Sequence, residues 1–525
     1  MIPPAKRHAD APDAPDTASS GGPPWEADAP PEAEAPDAAE AAQAEAAPAG
    51  AGRARWALPG LFPAGPAAPA SVGWRRRVLA VAAGLAAVIA GAVVLLLRIP
   101  GTPSWDTIYS EDYSEFLIAA LQHPGDLFIQ YNGYEELLPR AAAQLVTCLP
   151  LADAAAAFAW CGALTAAGCA LFVFCASSGH VRSVALRVLL AAAVILLSIA
   201  PMEIADSAVD APWYLLLALF WAVLWRPRTP AGMAAAAFVG FLAAASTSIA
   251  FLFVPLLAVR VCTLRRVREH AVTAGWLAGC LVQLPLIVSS ALSGQSRLVG
   301  GQNPGLGPSN PLRSSLSFYA HDVVLRSVGW HLSWWLESAT TRGWATLIVA
   351  AGLVAVLGLL LVTQPRTRPF TIVALATGFV ATVVCVFLTP WEVTYPVTIK
   401  QESASRYTAL PVFLIEAALI VGADHALRGY RDSRAQLGVT RRRADRLRPV
   451  LAVTALLALL AVGWIPDFRY AGMRAAPSAH QWSPVVAEWH RDCQLSSTGQ
   501  INAEVKNGAW TISCARLRFL HRVRR

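Results

Sequence analysis

The chain has 525 residues, of which 55% are hydrophobic and only 14% charged, with a formal net charge of +8 and a mean hydropathy of +0.47. Soluble domains carry roughly 25% charged residues, so this composition excludes an ordinary soluble enzyme. Apolar runs of about 20 residues recur along the sequence, each able to cross a hydrocarbon core of about 30 Å, which is the pattern of an all-α polytopic membrane protein.

The positive charge is almost all arginine, since lysine occurs only at Lys6, Lys400 and Lys506. The arginines sit in short clusters between apolar runs, where they orient helices. A nucleic-acid binder would gather them on one soluble face, so no nucleic-acid partner is expected. The first apolar run begins near Val78, too late for a cleaved leader. Of nine cysteines, seven (Cys148, Cys161, Cys169, Cys175, Cys262, Cys280 and Cys385) lie in apolar surroundings and read as small packing residues.

Residues 1–74 are rich in Ala, Pro, Asp and Glu. Such a segment buries too little surface to offset its ordering entropy and is expected to be a disordered cytoplasmic tail. Arg75–Arg77 then abut Val78–Leu97, which places that flank in the cytoplasm and sends the chain outward. The extracytoplasmic loop that follows, 99–151, should end in a short helix over Glu136–Val146. Further spans are expected over Ala152–Ala176, Val184–Ala200 and Pro212–Trp225. Residues 231–262 run from one arginine cluster to another, so they must hold an even number of passes. We read two short helices, Ala231–Ala245 and Ile249–Val261, turning at Ser246-Thr247-Ser248; a polar turn at that depth has to be buried in protein or wet.

Ala271–Leu292 leads out to a long loop, 293–343. Its first half is rich in Gly, Pro, Ser and Asn, and its second carries Phe318, Tyr319, Trp330, Trp334 and Trp335. Aromatics of this kind anchor at the membrane–water interface; the alternative is a wall for a lipid-linked substrate. Trp344–Val362, Phe370–Leu388, Tyr407–Gly422 and Val450–Ile465 complete about eleven transmembrane helices, separated by an outer loop 390–406 and an arginine-rich inner loop. This places the protein in the plasma membrane with its N-terminus inside and its C-terminus outside.

The tail 466–525 reads as a small extracytoplasmic α/β appendage. Ser483-Pro484 starts a helix. Ile501, Ala503 and Val505 alternate, Asn507-Gly508 turns the chain, and Trp510, Ile512 and Cys514 continue the alternation. A helix bearing Cys493 beside a hairpin bearing Cys514, in an oxidising compartment, predicts a disulfide. An appendage this small needs such a staple. No ligand-pair spacing for a metal is present.

The stretch most suggestive of chemistry is Trp105–Arg140. It carries Asp106, Glu111, Asp112, Glu115, Asp126, Glu135 and Glu136, with Arg140 as its only base. Carboxylates in an exposed loop are commonly just solvated. Here Glu111 and Asp112 adjoin each other among aromatics, and the complementary bases Lys400 and Arg406 fall on the same side of the membrane. A carboxylate that accepts a hydroxyl proton and cations that stabilise a leaving phosphate are the parts needed to move a sugar off a lipid phosphate.

The segment Tyr109-Ser110-Glu111-Asp112-Tyr113-Ser114-Glu115-Phe116-Leu117 and then Tyr131-Asn132-Gly133-Tyr134 with Leu138-Pro139-Arg140 follow the first span. Later come Trp213-Tyr214-Leu215, Ser405-Arg406-Tyr407 with Pro411, and a tail with Cys493 and Cys514. In this order the chain, over residues 75–515, resembles the GT-C superfamily of integral-membrane glycosyltransferases, and more closely a group of actinobacterial multipass proteins of that type. It departs from that group at Tyr113, where glycine is usual, and at Asp210-Ala211-Pro212, where a polar His/Asn pattern is usual. The resemblance implies inverting transfer from a polyprenyl-phosphate sugar donor to an extracytoplasmic cell-envelope glycan or lipid acceptor. By position, Asp112 or Glu111 would be the base. Arg140, Lys400 and Arg406 would hold phosphate, and Asp106, Trp213 and Tyr407 would contact substrate. The resemblance leaves a divalent metal open and names no ligands for one. Two other readings compete: a lipid or sugar transporter, against which no internal repeat is visible, and a non-catalytic envelope-assembly protein.

Overall fold

In a computed structural model of the chain, the described residues are 60–65, 73–100, 103–109, 111–200, 204–293, 311–329, 352–353, 355–359, 365–388, 405–437, 443–469, 480–505 and 508–517. They form helices almost throughout. In chain order these are α1 (Trp74–Leu96), α2 (Ile118–Gln122), α3 (Leu137–Val146), α4 (Ala154–Ala176), α5 (Val184–Ile195), α6 (Ala211–Leu224), α7 (Pro230–Ser246), α8 (Val254–Thr263), α9 (Ala271–Leu292), α10 (Pro311–Phe318), α11 (Arg368–Leu388), α12 (Ser405–Leu437), α13 (Arg443–Trp464) and α14 (Trp482–Leu495). Two small antiparallel sheets complete the fold: β1 (Thr107–Ile108) with β2 (His480–Gln481), and β3 (Gln500–Val505) with β4 (Gly508–Ser513). Among the described residues, five helical stretches are long and apolar enough to cross a membrane: Trp74–Leu96, Leu151–Gly179, Val267–Leu292, Arg368–Leu388 and Arg406–Gly429. The other apolar helices, α5, α6, α7, the Ser248–Thr263 stretch and Val453–Trp464, are shorter.

The bundle is built around α6. Every residue of α6 except Trp213 is buried, and it packs against α4, α7 and α12. A helix apolar on all sides is only satisfied at the centre of a bundle. The tightest pairing is α7 with α9, where small residues bring the backbones together. A Cβ on Gly275 would lie 1.9 Å from the Ala237 carbonyl oxygen.

The expected span Val184–Ala200 is only half helical. Helix α5 stops at Ile195, and Leu197–Ala200 and Ile204–Asp210 run buried without helical pairing. Irregular backbone at this depth must find donors within the protein. Buried Arg98 supplies them, donating to the carbonyls of Ile195 at 2.6 Å and Leu197 at 2.9 Å. It also reaches the carbonyls of Asp467 and Phe468, both at 3.2 Å, which ties the end of α13 to the break in α5. The turn between α7 and α8 meets its expectation: Ser246 and Thr247 are buried in protein, and the Ser246 hydroxyl accepts from the Leu138 amide at 3.1 Å.

The expectation for residues 1–74 needs correcting at one place. Gly60–Gly65 is packed chain. Leu61 is fully buried, the Phe62 carbonyl accepts from Arg226 at 3.4 Å, and the Arg260 guanidinium lies over the Phe62 ring. Leu61 and Phe62 occupy a slot at the arginine-rich end of the bundle. Around that slot Arg226 pairs with Glu269 at 2.6 Å, and Asp424 accepts from the amides of Arg182 and Ser183 at 3.0 and 2.9 Å. Trp330, Trp334, Trp335 and Lys400 lie outside the described residues.

At the opposite end, the loop after α1 and the C-terminal appendage fold as one layer. Thr107 and Ile108 pair with Gln481 and His480. The Asp106 carboxylate accepts from the Ser483 amide at 2.9 Å and from the Ser483 hydroxyl, giving the first turn of α14 an acid from a distant segment. Trp482 donates to the Leu151 carbonyl at 2.6 Å. Arg516 donates to the carbonyls of Leu121 and Gln122, both at 2.6 Å, closing the end of α2. The Cys493–Cys514 disulfide is present. These contacts join the loop and the appendage.

Candidate functional site

The site grows from two local devices in the loop. The first is a π-helical turn, Asp112–Leu117, just after Glu111. Widened turns of this kind are frequent at functional sites. Here the two adjacent acids take opposite directions. Asp112 is fully buried and accepts from the Val209 amide at 2.9 Å, and from the Ala208 amide and Ser207 hydroxyl at 3.3 Å each. Gly162 of α4 lets that strand pass, since a Cβ there would lie 2.6 Å from the Ser207 carbonyl oxygen. Glu111 instead stays part-exposed and faces Arg406, with 3.6 Å between Oε2 and the guanidinium.

The second device is Tyr131-Asn132-Gly133-Tyr134. Asn132 and Gly133 both have positive φ, 52° and 90°, as the tightest hairpin turn with a right-handed twist requires. Tyr131 and Tyr134 therefore bridge backbone to backbone, with ring centroids 6.2 Å apart. The Tyr131 hydroxyl donates to Glu111 Oε1 at 3.1 Å, and the Tyr134 hydroxyl donates to Glu136 Oε1 at 2.8 Å. One turn thus delivers two phenols to two carboxyls. Gln283 of α9 fixes the next residue, accepting from the Glu135 amide at 3.0 Å and donating to its carbonyl at 2.6 Å.

The third contribution comes from the start of α6. Asp210 is buried and its Oδ1 lies 3.8 Å from Arg406. Trp213 meets Tyr407 edge to face at 5.5 Å, and the Arg406 guanidinium lies 5.2 Å from the Tyr407 ring centre. Arg406 is the cation around which Glu111, Asp210 and Glu136 converge. Burial pushes the Asp210 carboxyl up to about 8, against the pull of Arg406, and the Glu111 and Asp112 charges push the same way. Burial likewise raises the Glu136 carboxyl well above the usual range, with the Tyr134 hydrogen bond and Arg406 opposing. Glu135 is pushed up to about 8 by burial, with Arg140 opposing.

Of the residues singled out in the sequence, Glu111, Trp213, Arg406 and Tyr407 meet here, and Asp112 adjoins them with its oxygens turned into the Ser207–Val209 strand. Arg140 and Asp106 are occupied elsewhere. Arg140 donates to the carbonyls of Ile129 at 3.1 Å and Glu115 at 3.0 Å, with its guanidinium over the Phe116 ring, so it braces the loop. Asp106 is taken up by Ser483. Tyr113, at a position where the resembling group has glycine, fits between Trp482 and Trp489, 6.0 Å from each. Sequence reasoning passed over Asp210 and Glu136 as site residues. The Asn-Gly turn between two tyrosines was the available signal for Glu136; nothing in the sequence singled out Asp210 over Asp206 or Glu203. Among the described residues no group of three metal-ligating side chains is assembled. No family model, curated protein or solved structure matches this chain.

Proposed function

We propose that the chain is a membrane glycosyltransferase of the GT-C type, with about eleven transmembrane helices, that moves a sugar from a polyprenyl phosphate to a cell-envelope acceptor outside the plasma membrane. The observation that carries this reading is the meeting of Glu111 and Asp210 with Arg406, where the loop after α1 reaches the starts of α6 and α12. Arg406 would hold the leaving phosphate, as a guanidinium suits phosphate oxygens. Glu111, part-exposed and oriented by the Tyr131 hydroxyl, is the base. It takes the proton of the acceptor hydroxyl while that oxygen attacks the anomeric carbon. The new carbon–oxygen bond forms as the bond to phosphate breaks, and the phosphate departs with the electron pair. Asp112, held by its three donors, positions the turn that presents Glu111.

The test is native mass spectrometry of the full chain in mild detergent, followed by transfer assays with the lipid that is found. We expect a co-purifying polyprenyl phosphate or its glycosylated form. It should be lost in Arg406→Ala, and retained without turnover in Glu111→Gln. Absence of any such lipid across several mild detergents would overturn the reading in favour of a transporter or an assembly protein. Retention of turnover in Glu111→Gln would remove Glu111 as the base.

A further inference from the structure

Two carboxyl oxygens in the cluster have no hydrogen-bond partner. Asp210 is 2% exposed and Glu136 6% exposed, and neither Asp210 Oδ2 nor Glu136 Oε2 receives a donor. Their other oxygens are committed, to Arg406 and to the Tyr134 hydroxyl. A buried polar oxygen left unpaired is destabilising, so two of them in one cluster ask for a ligand that supplies the missing partners.

The surroundings restrict what that ligand can be. The groups facing the pair are Glu111 and Asp112 at the π-turn, Tyr131 and Tyr134 from the hairpin, Tyr214 from α6 and Arg406 from α12, while Arg140 of α3, given to backbone carbonyls, also acts on Glu136. Three carboxyls, Glu111, Asp210 and Glu136, therefore share one guanidinium. Carboxyls so crowded cannot all ionise, and burial favours the acid form at Asp210 and Glu136. A carboxylic acid offers one O–H donor beside an acceptor oxygen, which is the complement of a sugar hydroxyl, itself donor and acceptor. An anionic sugar would add a further negative charge to this cluster. Tyr131, Tyr134, Trp213 and Tyr407 supply the apolar faces that a sugar ring's C–H surface packs on.

We infer that Asp210 and Glu136 form a hydroxyl-reading subsite for an uncharged sugar, and that they select it against uronic acids. The identification of the hydroxyls as those of the transferred sugar rests on the transferase reading; the two orphaned oxygens do not.

The experiment uses the full chain in lipid nanodiscs and three probes: methyl glucoside, its glucuronide and its 2-amino analogue. Binding is read by saturation-transfer NMR between pH 6 and 9. The neutral glycoside should bind best at pH 6, with the glucuronide about ten-fold weaker, the cost of one unfavourable charge or lost hydrogen bond. Its affinity should fall toward pH 9. Glu136→Leu should weaken it about ten-fold, Glu136→Gln, which keeps a donor and an acceptor, should restore it, and Asp210→Asn should flatten its pH dependence. The inference is overturned if Gln is as damaging as Leu, if the amino sugar binds best, or if no neutral glycoside binds. Failure of the transferase reading looks different: glycoside binding persists while no donor lipid co-purifies and no transfer is seen. Conversely, lipid and transfer intact with sugar preference unmoved in Glu136→Leu would sink the subsite alone.

Discussion

Glu111 and Asp112 are neighbours with opposite roles, and a pair of substitutions separates them. Asp112 is buried beneath three donors. In Asp112→Asn the amide keeps one acceptor oxygen and turns an NH2 group toward the other donors. At least one charge-assisted bond is lost and one buried N–H is stranded, a penalty of about 3 kcal/mol. The penalty falls on the Ser207–Val209 strand, so it is read there, by hydrogen exchange with mass spectrometry. At 1.36 kcal/mol per factor of ten, amide exchange at Ala208 and Val209 should rise roughly 100-fold. Glu111→Gln removes only a part-exposed 3.6 Å ion pair and a phenol hydrogen bond, so it should change exchange there by less than about five-fold. Unchanged protection of Ala208 and Val209 in Asp112→Asn would refute the assignment of Asp112 as the post that fixes this turn.

Three further outcomes follow from the geometry. Trp482→Ala removes a fully buried ring that touches Tyr113, Trp489 and the Leu151 carbonyl, at about 3–5 kcal/mol; brief trypsin treatment should then clip the appendage while the helical bundle survives. Gly275→Ala puts a methyl 1.9 Å from the Ala237 carbonyl oxygen and should lower the thermal unfolding midpoint clearly, whereas Gly168→Ala, with nothing within 4 Å of its Cβ, should not. Asp210 and Glu135 are raised from 3.8 and 4.5 to about 8. The folded state therefore holds more protons than the unfolded one between those values. The stability they contribute is full at low pH and is lost as pH rises through about 8. Thermal unfolding from pH 5 to 9 should show that decline, and Asp210→Asn should shrink it.

Much of the architecture was legible because bilayers impose simple rules. Run length and arginine clusters marked α1, α4, α9 and α11, and parity required the α7–α8 pair. The appendage was readable because Ser483-Pro484, Asn507-Gly508 and the alternation of Ile501 with Ile512 are local signals. The break after Ile195 was not, since Val188–Leu197 is apolar without interruption and only a distant arginine, Arg98, satisfies the carbonyls at the break. The slot for Leu61 and Phe62 was hidden for the same reason: it is lined by His180, Arg226 and Arg260, none of which neighbours the tail in sequence. Within the site, residue type and position found Glu111 and Arg406. They could not tell Arg140, given to backbone carbonyls, from Arg406, given to carboxylates, because that difference is set by contacts between remote segments.

The clasp between Asp106 and Ser483 joins residues 377 positions apart. During synthesis at about 5–20 residues per second, the loop that carries Glu111 waits roughly 20–75 s before its partner helix exists. Its β1 edge, the Tyr113 ring and the carbonyls at the end of α2 stay uncovered for that time. A segment made 377 residues later is thus the one that finishes this loop. A nascent chain that stalls after α13 would carry the described helices α1–α13 and still lack a settled acid cluster.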